Sequence, residues 1–334
     1  MTFPFPVLLS DVGGTNARFA VLRDKHAQPE ILGSVGTSAF PTFDAAAQAI
    51  LGLNTLTPVS CILCAAGPVA GARVELTNAN WTIDGHETAR RLGLAHGLML
   101  NDFEAQALSL PALRPEWLKE IGHGQAQPGG ARVVHGPGTG LGTAALIDVE
   151  GRWRAVASEG SHSDFAPVYP DEMALWPHIE KRQGRITPET LISGPGLRRL
   201  HRARLASLGH ARPDEGEADI IAAALAIQKS AEADSVRLFW RLAARFAGDV
   251  ALTFLATGGV YLAGGVLPRM MDLLDVDEFR RVFENKAPYE RLARKIPVHV
   301  LLQTDAVLHG MAEIARAPER FAIDYAARDW RSMD

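Results

Sequence analysis

Apolar residues in this chain come in short runs, broken by glycine, proline and polar clusters. Val7, Leu8 and Leu9 lead into Asp11-Val12-Gly13-Gly14-Thr15-Asn16, and Phe19, Ala20, Val21 and Leu22 lead out. That pattern predicts a strand, a tight glycine turn and a second strand. Phe43 to Leu53 has an alanine-rich helical pattern, and Ser60 to Ala66 predicts a buried strand ending at Gly67-Pro68. Val74 to Trp81 predicts a further strand, and Asp84 to Leu92 a helix with polar outer positions. Leu98-Met99-Leu100 predicts a short strand that turns at Asn101-Asp102 into a helix from Phe103 to Leu108. Alternation of this kind implies a mixed sheet flanked by helices.

Pro111, Pro115 and the Gly/Pro-rich stretch from Gly122 to Gly130 mark a change of region, with a boundary close to Leu113. Beyond it the first rhythm returns. Arg132-Val133-Val134-His135 leads into Gly136-Pro137-Gly138-Thr139-Gly140-Leu141-Gly142-Thr143, and Ala144 to Ile147 leads out. Arg152 to Ala157 predicts a strand, Asp171 to Lys181 a helix interrupted near Pro177, and Ala218 to Phe254 two long helices interrupted around Ala233-Asp234. A third glycine site, Ala256 to Gly265, ends differently, because its strand runs into Val266-Leu267-Pro268 and Pro268 suits the first turn of a helix. Ile296 to Leu302 predicts a strand and Asp305 to Arg316 a closing helix.

Composition narrows the class. At 334 residues, two domains are expected, and 47 % hydrophobic with 22 % charged residues describes a globular protein. A formal net charge of −4 gives no global attraction to nucleic acid or anionic membrane. The basic stretch that runs to Arg212 shares its helix with Leu197, Leu200 and Leu208, and an acidic segment follows, which predicts a solvated helix face. The N-terminus lacks a signal-peptide pattern and no apolar run is long enough to span a bilayer, so a cytoplasmic location is expected. The two cysteines, Cys61 and Cys64, lie in a predicted strand that points them to opposite faces, and they read as buried apolar filler.

The glycine turns carry the candidate chemistry. Paired glycines lack a Cβ and can take φ > 0, so an anion can approach main-chain N–H groups at Gly13-Gly14. Thr15 and Asn16 add short donors, and Asp11 is placed to hold a metal ion through water; without a metal it would repel phosphate. A P-loop or dinucleotide fingerprint opens into a helix, whereas Ala17 to Leu22 continues as a strand, which argues against both and against an oxidoreductase built on them. Taken alone, the first turn reads equally well as an ordinary hairpin.

Two phosphate-type hairpins followed by a strand–Gly-Gly–helix site is the order seen in the actin, sugar-kinase and Hsp70 ATPase group, which this chain resembles. Six blocks narrow the resemblance: DVGGTNAR (Asp11 to Arg18), NDFEAQA (Asn101 to Ala107), GPGTGLG (Gly136 to Gly142), EGSHSDFAP (Glu159 to Pro167), ETLISGPGL (Glu189 to Leu197) and GGVYLAGGVLPR (Gly258 to Arg269). Almost end to end, the chain is similar to bacterial ATP-dependent glucokinases.

The resemblance implies an α/β, two-domain actin-like ATPase (ribonuclease H-like) fold with an interdomain active-site cleft. It implies a small α/β domain of residues 1–112 plus 303–322, a large α/β domain of 113–302, and a C-terminal tail, 323–334. The implied activity is transfer of the γ-phosphoryl group of ATP to the 6-hydroxyl of glucose, with Mg²⁺, in a homodimer. Asp102 is implied as the catalytic base, and Asn101, Asp102, Glu159, His162 and Glu189 as glucose ligands, with Asn78 a weaker candidate. Asp11, Gly13, Gly14, Thr15, Asn16, Gly138, Thr139, Gly140, Gly264 and Gly265 are implied as the nucleotide set, with Asp11 on the metal. Two departures stand out: the family usually has Gly where Ser161 stands, and Thr304 to Ala312 is less glycine-rich than its counterpart.

The residues agree with that chemistry without dictating it. An alcohol attacking the γ-phosphorus needs positioning, charge neutralisation and an acceptor for its proton. Asp102 begins a helix, where N–H groups are expected to keep its carboxylate ionised and its pKa depressed; the same position also suits Asp102 or Asn101 as a simple helix cap. The mostly acceptor set around it suits a neutral polyol better than a phosphorylated acceptor, since no arginine belongs to it. A sugar sensor or filament former of the same group would keep the glycine hairpins but would not need Asp102 together with Glu159, His162 and Glu189.

Overall fold

The computed structural model describes residues 2–77, 79–211 and 214–331, so Asn78 and Arg212 lie outside the described residues. In chain order the first half forms β1 (Val7–Val12), β2 (Asn16–Leu22), β3 (Glu30–Gly36), α1 (Phe43–Asn54), β4 (Ser60–Ala65), β5 (Val69–Ala70), β6 (Arg73–Glu75), β7 (Thr82–Asp84), α2 (Gly85–Leu92), β8 (His96–Asn101) and α3 (Asp102–Ser109). Next come β9 (Leu118–Glu120), β10 (Arg132–Pro137), β11 (Leu141–Val149), β12 (Arg152–Ser158), α4 (Pro170–Leu175), α5 (Pro188–Leu191), α6 (Gly194–Ser207), α7 (Glu217–Ala226) and α8 (Ala231–Thr253). The chain closes with β13 (Gly259–Leu262), α9 (Val276–Glu284), α10 (Glu290–Ala293), β14 (Val298–Leu301), α11 (Ala306–Arg316), α12 (Tyr325–Arg328) and β15 (Asp329–Trp330).

Two compact units result: Met1–Arg114 with Leu146–Val156 and Asp305–Asp334, and Pro115–Ala145 with Ala157–Thr304. The first unit is built on a six-stranded sheet in the order β15-β8-β4-β1-β2-β3. β1 pairs antiparallel with β2 and parallel with β4, which pairs parallel with β8. All six residues of β4 are buried, as a central parallel strand covered on both faces must be. Phe43, Ala46 and Ala47 of α1 pack with Phe19, Cys61 and Leu63 in the core beneath this sheet.

A second six-stranded sheet, whose strands β10, β13, β14 and β9 belong to the second unit, repeats the arrangement. It runs β12-β11-β10-β13-β14-β9, with β13 parallel to β10 and to β14, and β9 antiparallel at the edge. In each sheet the first strand of the glycine hairpin, β1 or β10, is central, with its hairpin partner on one side, two parallel strands on the other and an antiparallel strand at that far edge.

Several boundaries differ from the sequence reading. The strand expected over Val74 to Trp81 stops at Glu75, and Trp81 instead turns inward, its indole N–H donating to Phe40 O at 2.9 Å. The break expected at Ala233-Asp234 falls earlier, at Ile227 to Ser230. Ser230 caps α8 by accepting from the Ala233 N–H, which places Asp234 in the first turn, where a negative charge is favoured. Within 323–334, expected as a tail, α12 and β15 form, and Trp330 is fully buried. A Cβ on Gly85 or Gly97 would meet the Trp330 ring at 2.4 and 2.2 Å, so both glycines make room for that ring.

Candidate functional site

In the first unit, the C-terminal ends of β1, β4 and β8 bring the acidic residues to one edge. The register sets Asp11 beside Cys64, and Ala65 beside Asn101. The C-terminal edge of parallel strands is where open α/β sheets bind ligands. Burial raises the pKa of Asp11, while Arg18 and the Cys64 thiol oppose the shift. Arg18 Nη1 is 3.9 Å from Asp11 Oδ2, and the Cys64 thiol donates to Asp11 Oδ1 at 3.5 Å.

The adjoining turn is closed by the Gly13 N–H donating to Asn16 O at 2.9 Å. Thr37 pins it from the far side: its N–H donates to Thr15 O and its hydroxyl to Gly14 O, both at 2.9 Å. Neither Gly13 nor Gly14 takes a positive φ. A Cβ on Gly13 would meet only Asn16 O, at 3.5 Å, an ordinary contact, so the turn can close without glycine there. Thr15 and Asn16 are exposed at its tip.

Asn101 and Asp102 divide the work at the start of α3. Asn101 is the N-cap: its Oδ1 accepts the Phe103 and Glu104 N–H groups at 3.0 and 3.2 Å, and its Nδ2 donates to Gly67 O at 3.0 Å. The Glu104 carboxylate accepts from the Asn101 N–H, completing a capping box, and is itself held by Arg328 of α12. Asp102 therefore does not carry the cap, although its Oδ1 also accepts from the Phe103 N–H at 2.9 Å. Its pKa is not depressed. Burial outweighs the Phe103 N–H, the nearby Asp11 charge adds to the rise, and the carboxyl is pushed up to about 6.

In the second unit, Gly138 to Gly140 connect β10 to β11, and the Gly138 N–H donates to Gly140 O at 2.8 Å. A Cβ on Gly138 would meet nothing within 4 Å, so that turn has an open face, and Thr139 is exposed. Gly140 has a different task. A Cβ there would lie 2.6 Å from Glu189 Oε2, the same oxygen that accepts the Leu141 N–H at 2.8 Å. Glu189 is thereby tied to the glycine hairpin and also faces His162, whose Nε2 is 3.9 Å away. His162 Nε2 lies 3.7 Å from Glu159 Oε2 as well, so the three expected sugar ligands of this unit converge. Glu159 and His162 are exposed, whereas Ser161 between them is 1 % exposed.

At the third glycine site, Gly264 has φ +88° and a Cβ would lie 2.4 Å from Pro137 O, so it serves close backbone packing against β10. Gly265 is exposed, and a Cβ added there would meet nothing within 4 Å. Pro268 follows in the first turn of a 3₁₀ helix, Leu267–Leu273.

A family model described as Glucokinase matches residues 8–318. The chain belongs to the glucokinase family. It is 41 % identical over 331 residues to a glucokinase of Sinorhizobium medicae (strain WSM419), spanning 99 % of this chain and 98 % of that one. A crystal structure of glucokinase from an Antarctic psychrotroph superposes with a TM-score of 0.80 at 30 % identity, covering 92 % of this chain and 97 % of that one. A ROK family glucokinase from Streptomyces griseus, solved in complex with glucose and AMPPNP, shares the fold at 22 % identity and TM-score 0.64, covering 93 % and 99 %. The repeated sheet order is thus that of the two-domain actin-like kinase fold.

Within this glucokinase-family chain, four supporting residues escaped the sequence reading. Glu104 had a legible signal, since it stands three residues after Asn101 in the capping-box pattern. Thr37, Cys64 and Arg328 had none, because each reaches its partner across distant sequence. Among the described residues, no helix is long and apolar enough to cross a membrane.

Proposed function

We propose that this chain is a glucokinase that transfers the γ-phosphoryl group of ATP to the 6-hydroxyl of glucose, with Asp102 as the proton acceptor. The observation that carries the assignment of Asp102 is the division between neighbours: Asn101 takes the helix cap, leaving a partly buried carboxylate at the β8–α3 junction. With its pKa pushed up to about 6, Asp102 is mostly ionised at neutral pH yet a better base than an ordinary aspartate. It would draw the proton from the glucose 6-hydroxyl as that oxygen attacks the γ-phosphorus. In a loose phosphoryl-transfer transition state this transfer comes late, so positioning matters as much as basicity.

Glu159, His162 and Glu189 would orient the sugar hydroxyls, with Glu189 fixed by the Leu141 N–H. Asn101 would contribute its remaining amide hydrogen. The open glycine turns, with Thr15, Asn16 and Thr139, would receive the nucleotide phosphates on backbone and hydroxyl donors. Asp11 fits Mg²⁺ arriving with ATP: burial raises its pKa, and a partner cation would relieve that cost, while a single carboxylate suits an ion that keeps several waters. Mg²⁺ so held would neutralise phosphate charge. A homodimer belongs to the same reading, and sedimentation velocity tests it.

The deciding experiment is ADP release with glucose, mannose, fructose and N-acetylglucosamine, compared as kcat/KM under one condition. Glucose should lead, because displaced hydroxyls leave hydrogen-bonding groups unpaired at about 1–3 kcal/mol each. Mannose, differing at one centre, should be rejected least. Faster use of fructose or N-acetylglucosamine would sink the glucokinase assignment while leaving the sugar-kinase fold standing.

A further inference from the structure

Away from the residues above, the second unit holds a cluster that phosphoryl transfer does not use. His201 on α6 is 1 % exposed, and its Nε2 faces Glu215 Oε2 at 3.3 Å and Glu232 Oε1 at 3.8 Å. Glu215 lies two residues before α7, and Glu232 is in the first turn of α8. Among the described residues this is the one group of three such side chains whose ligand atoms all lie within 4.8 Å of one another.

The hydrogen bonds define the tautomer. His201 Nδ1 lies 2.9 Å from Ser235 Oγ, and that hydroxyl already donates to Ala231 O at 2.9 Å. Ser235 must therefore accept, so Nδ1 carries the hydrogen and the neutral ring presents a bare lone pair at Nε2. Nε2 and Glu215 Oε2 are both buried without a hydrogen-bond partner. A lone pair aimed at two carboxylates repels them unless a cation sits between. Arg204 does not fill that role, since its guanidinium is paired with Asp234 at 2.6 Å.

We propose that His201, Glu215 and Glu232 form a binding site for a divalent transition-metal ion of the Zn²⁺ class. Nitrogen and carboxylate ligands at about 2.0–2.2 Å in a tetrahedron stand about 3.3–3.6 Å apart, close to the separations of His201 from its two partners. Ser235 holds the other ring nitrogen, as the outer partner of a metal-bound histidine does. Water would complete the tetrahedron. The ion would tie α6, the segment before α7 and the start of α8 together, and so act on stability rather than on the phosphoryl-transfer step.

The test uses this 334-residue chain after chelator treatment, titrated with ZnCl₂ by calorimetry and followed by thermal unfolding. One Zn²⁺ per chain at micromolar or tighter affinity, with a melting temperature that rises with Zn²⁺, is expected. Glu215→Gln, at a partly exposed position, should fold normally and bind at least tenfold more weakly, and His201→Gln should abolish the site. Absence of stoichiometric binding by the wild type would overturn the proposal. Wild-type affinity in Glu215→Gln would overturn it equally, even if His201→Gln failed to fold.

Discussion

Replacing Asp102 by Asn separates the chemistry of this residue from its scaffolding. The new side-chain amide can still accept the Phe103 N–H that Asp102 accepts at 2.9 Å, and Asn101 keeps the cap. α3 should therefore start unchanged, while turnover falls by about two to four orders of magnitude for want of a base. Stability should move the other way. The carboxyl titrates at about 6 in the fold, above the ordinary 3.8. Between those values the native state holds a proton that the unfolded chain has lost, so stability declines as pH rises through that window. Above it, the ionised group costs the fold up to about 3 kcal/mol, a gap of about 2 at about 1.36 kcal/mol per pH unit. Asp102→Asn escapes that cost, so at about pH 7.5 its melting temperature should rise while its turnover collapses. Coupled ADP release and scanning calorimetry on the two proteins measure both effects. The wild-type kcat/KM should also bend near pH 6, falling about tenfold by about pH 5. Near-normal turnover in the variant, or a flat wild-type profile through this range, would refute the assignment.

Trp330→Ala should cost about 3–5 kcal/mol, read as a lower urea midpoint, because the fully buried ring fills the space left by Gly85 and Gly97; a loss under about 1 kcal/mol would mean that the C-terminal strand is dispensable. Gly140→Ala should drive the Glu189 carboxylate off the Leu141 N–H and raise the KM for glucose by about tenfold or more, with a smaller effect on ATP. An unchanged glucose KM would remove Glu189 from the sugar-binding set. Ser161→Gly should leave the order of sugar preference intact, since Ser161 is 1 % exposed between the exposed Glu159 and His162; a reordered preference would place its hydroxyl in the pocket.

What the sequence made legible was local. Both glycine hairpins form where short continuous apolar runs flank the turns, and Pro268 does open a helical turn after the third glycine site. Features that depend on distant partners were not legible. Val74 to Trp81 is apolar enough for a continuous strand, yet Trp81 is drawn inward to Phe40, and the strand ends at Glu75. The last residues carry no long periodic run, so nothing local announced that Asp329-Trp330 would pair with Gly97 and Leu98. The His201 cluster comes from a helix, the segment before another and the first turn of a third, and no spacing rule links them.

Asp102 shows why residue type and position did not fix its chemistry. Position argued for a depressed pKa, because a helix N-terminus stabilises negative charge. That stabilisation is strongest for a side chain that collects several free N–H groups, and here Asn101 takes the Glu104 N–H and shares the Phe103 N–H, leaving Asp102 that shared donor with smaller help from its own N–H and the Asn101 amide. What remains is a carboxylate taken partly out of water, with the Asp11 charge within electrostatic reach, and both effects raise its pKa. On the role proposed for Asp102, the neighbour that does the capping therefore leaves it the more basic carboxylate. The same reasoning extends to a test on Asn101 itself. Asn101→Ala frees the Glu104 N–H and leaves the Phe103 N–H to Asp102 alone, which outweighs the smaller contribution of the lost Asn101 amide to that carboxylate. Its pKa should then fall, moving the bend in kcat/KM to lower pH, while loss of the cap costs about 1 kcal/mol of stability. If the bend stays near pH 6 while stability falls, capping by Asn101 does not set the basicity of Asp102.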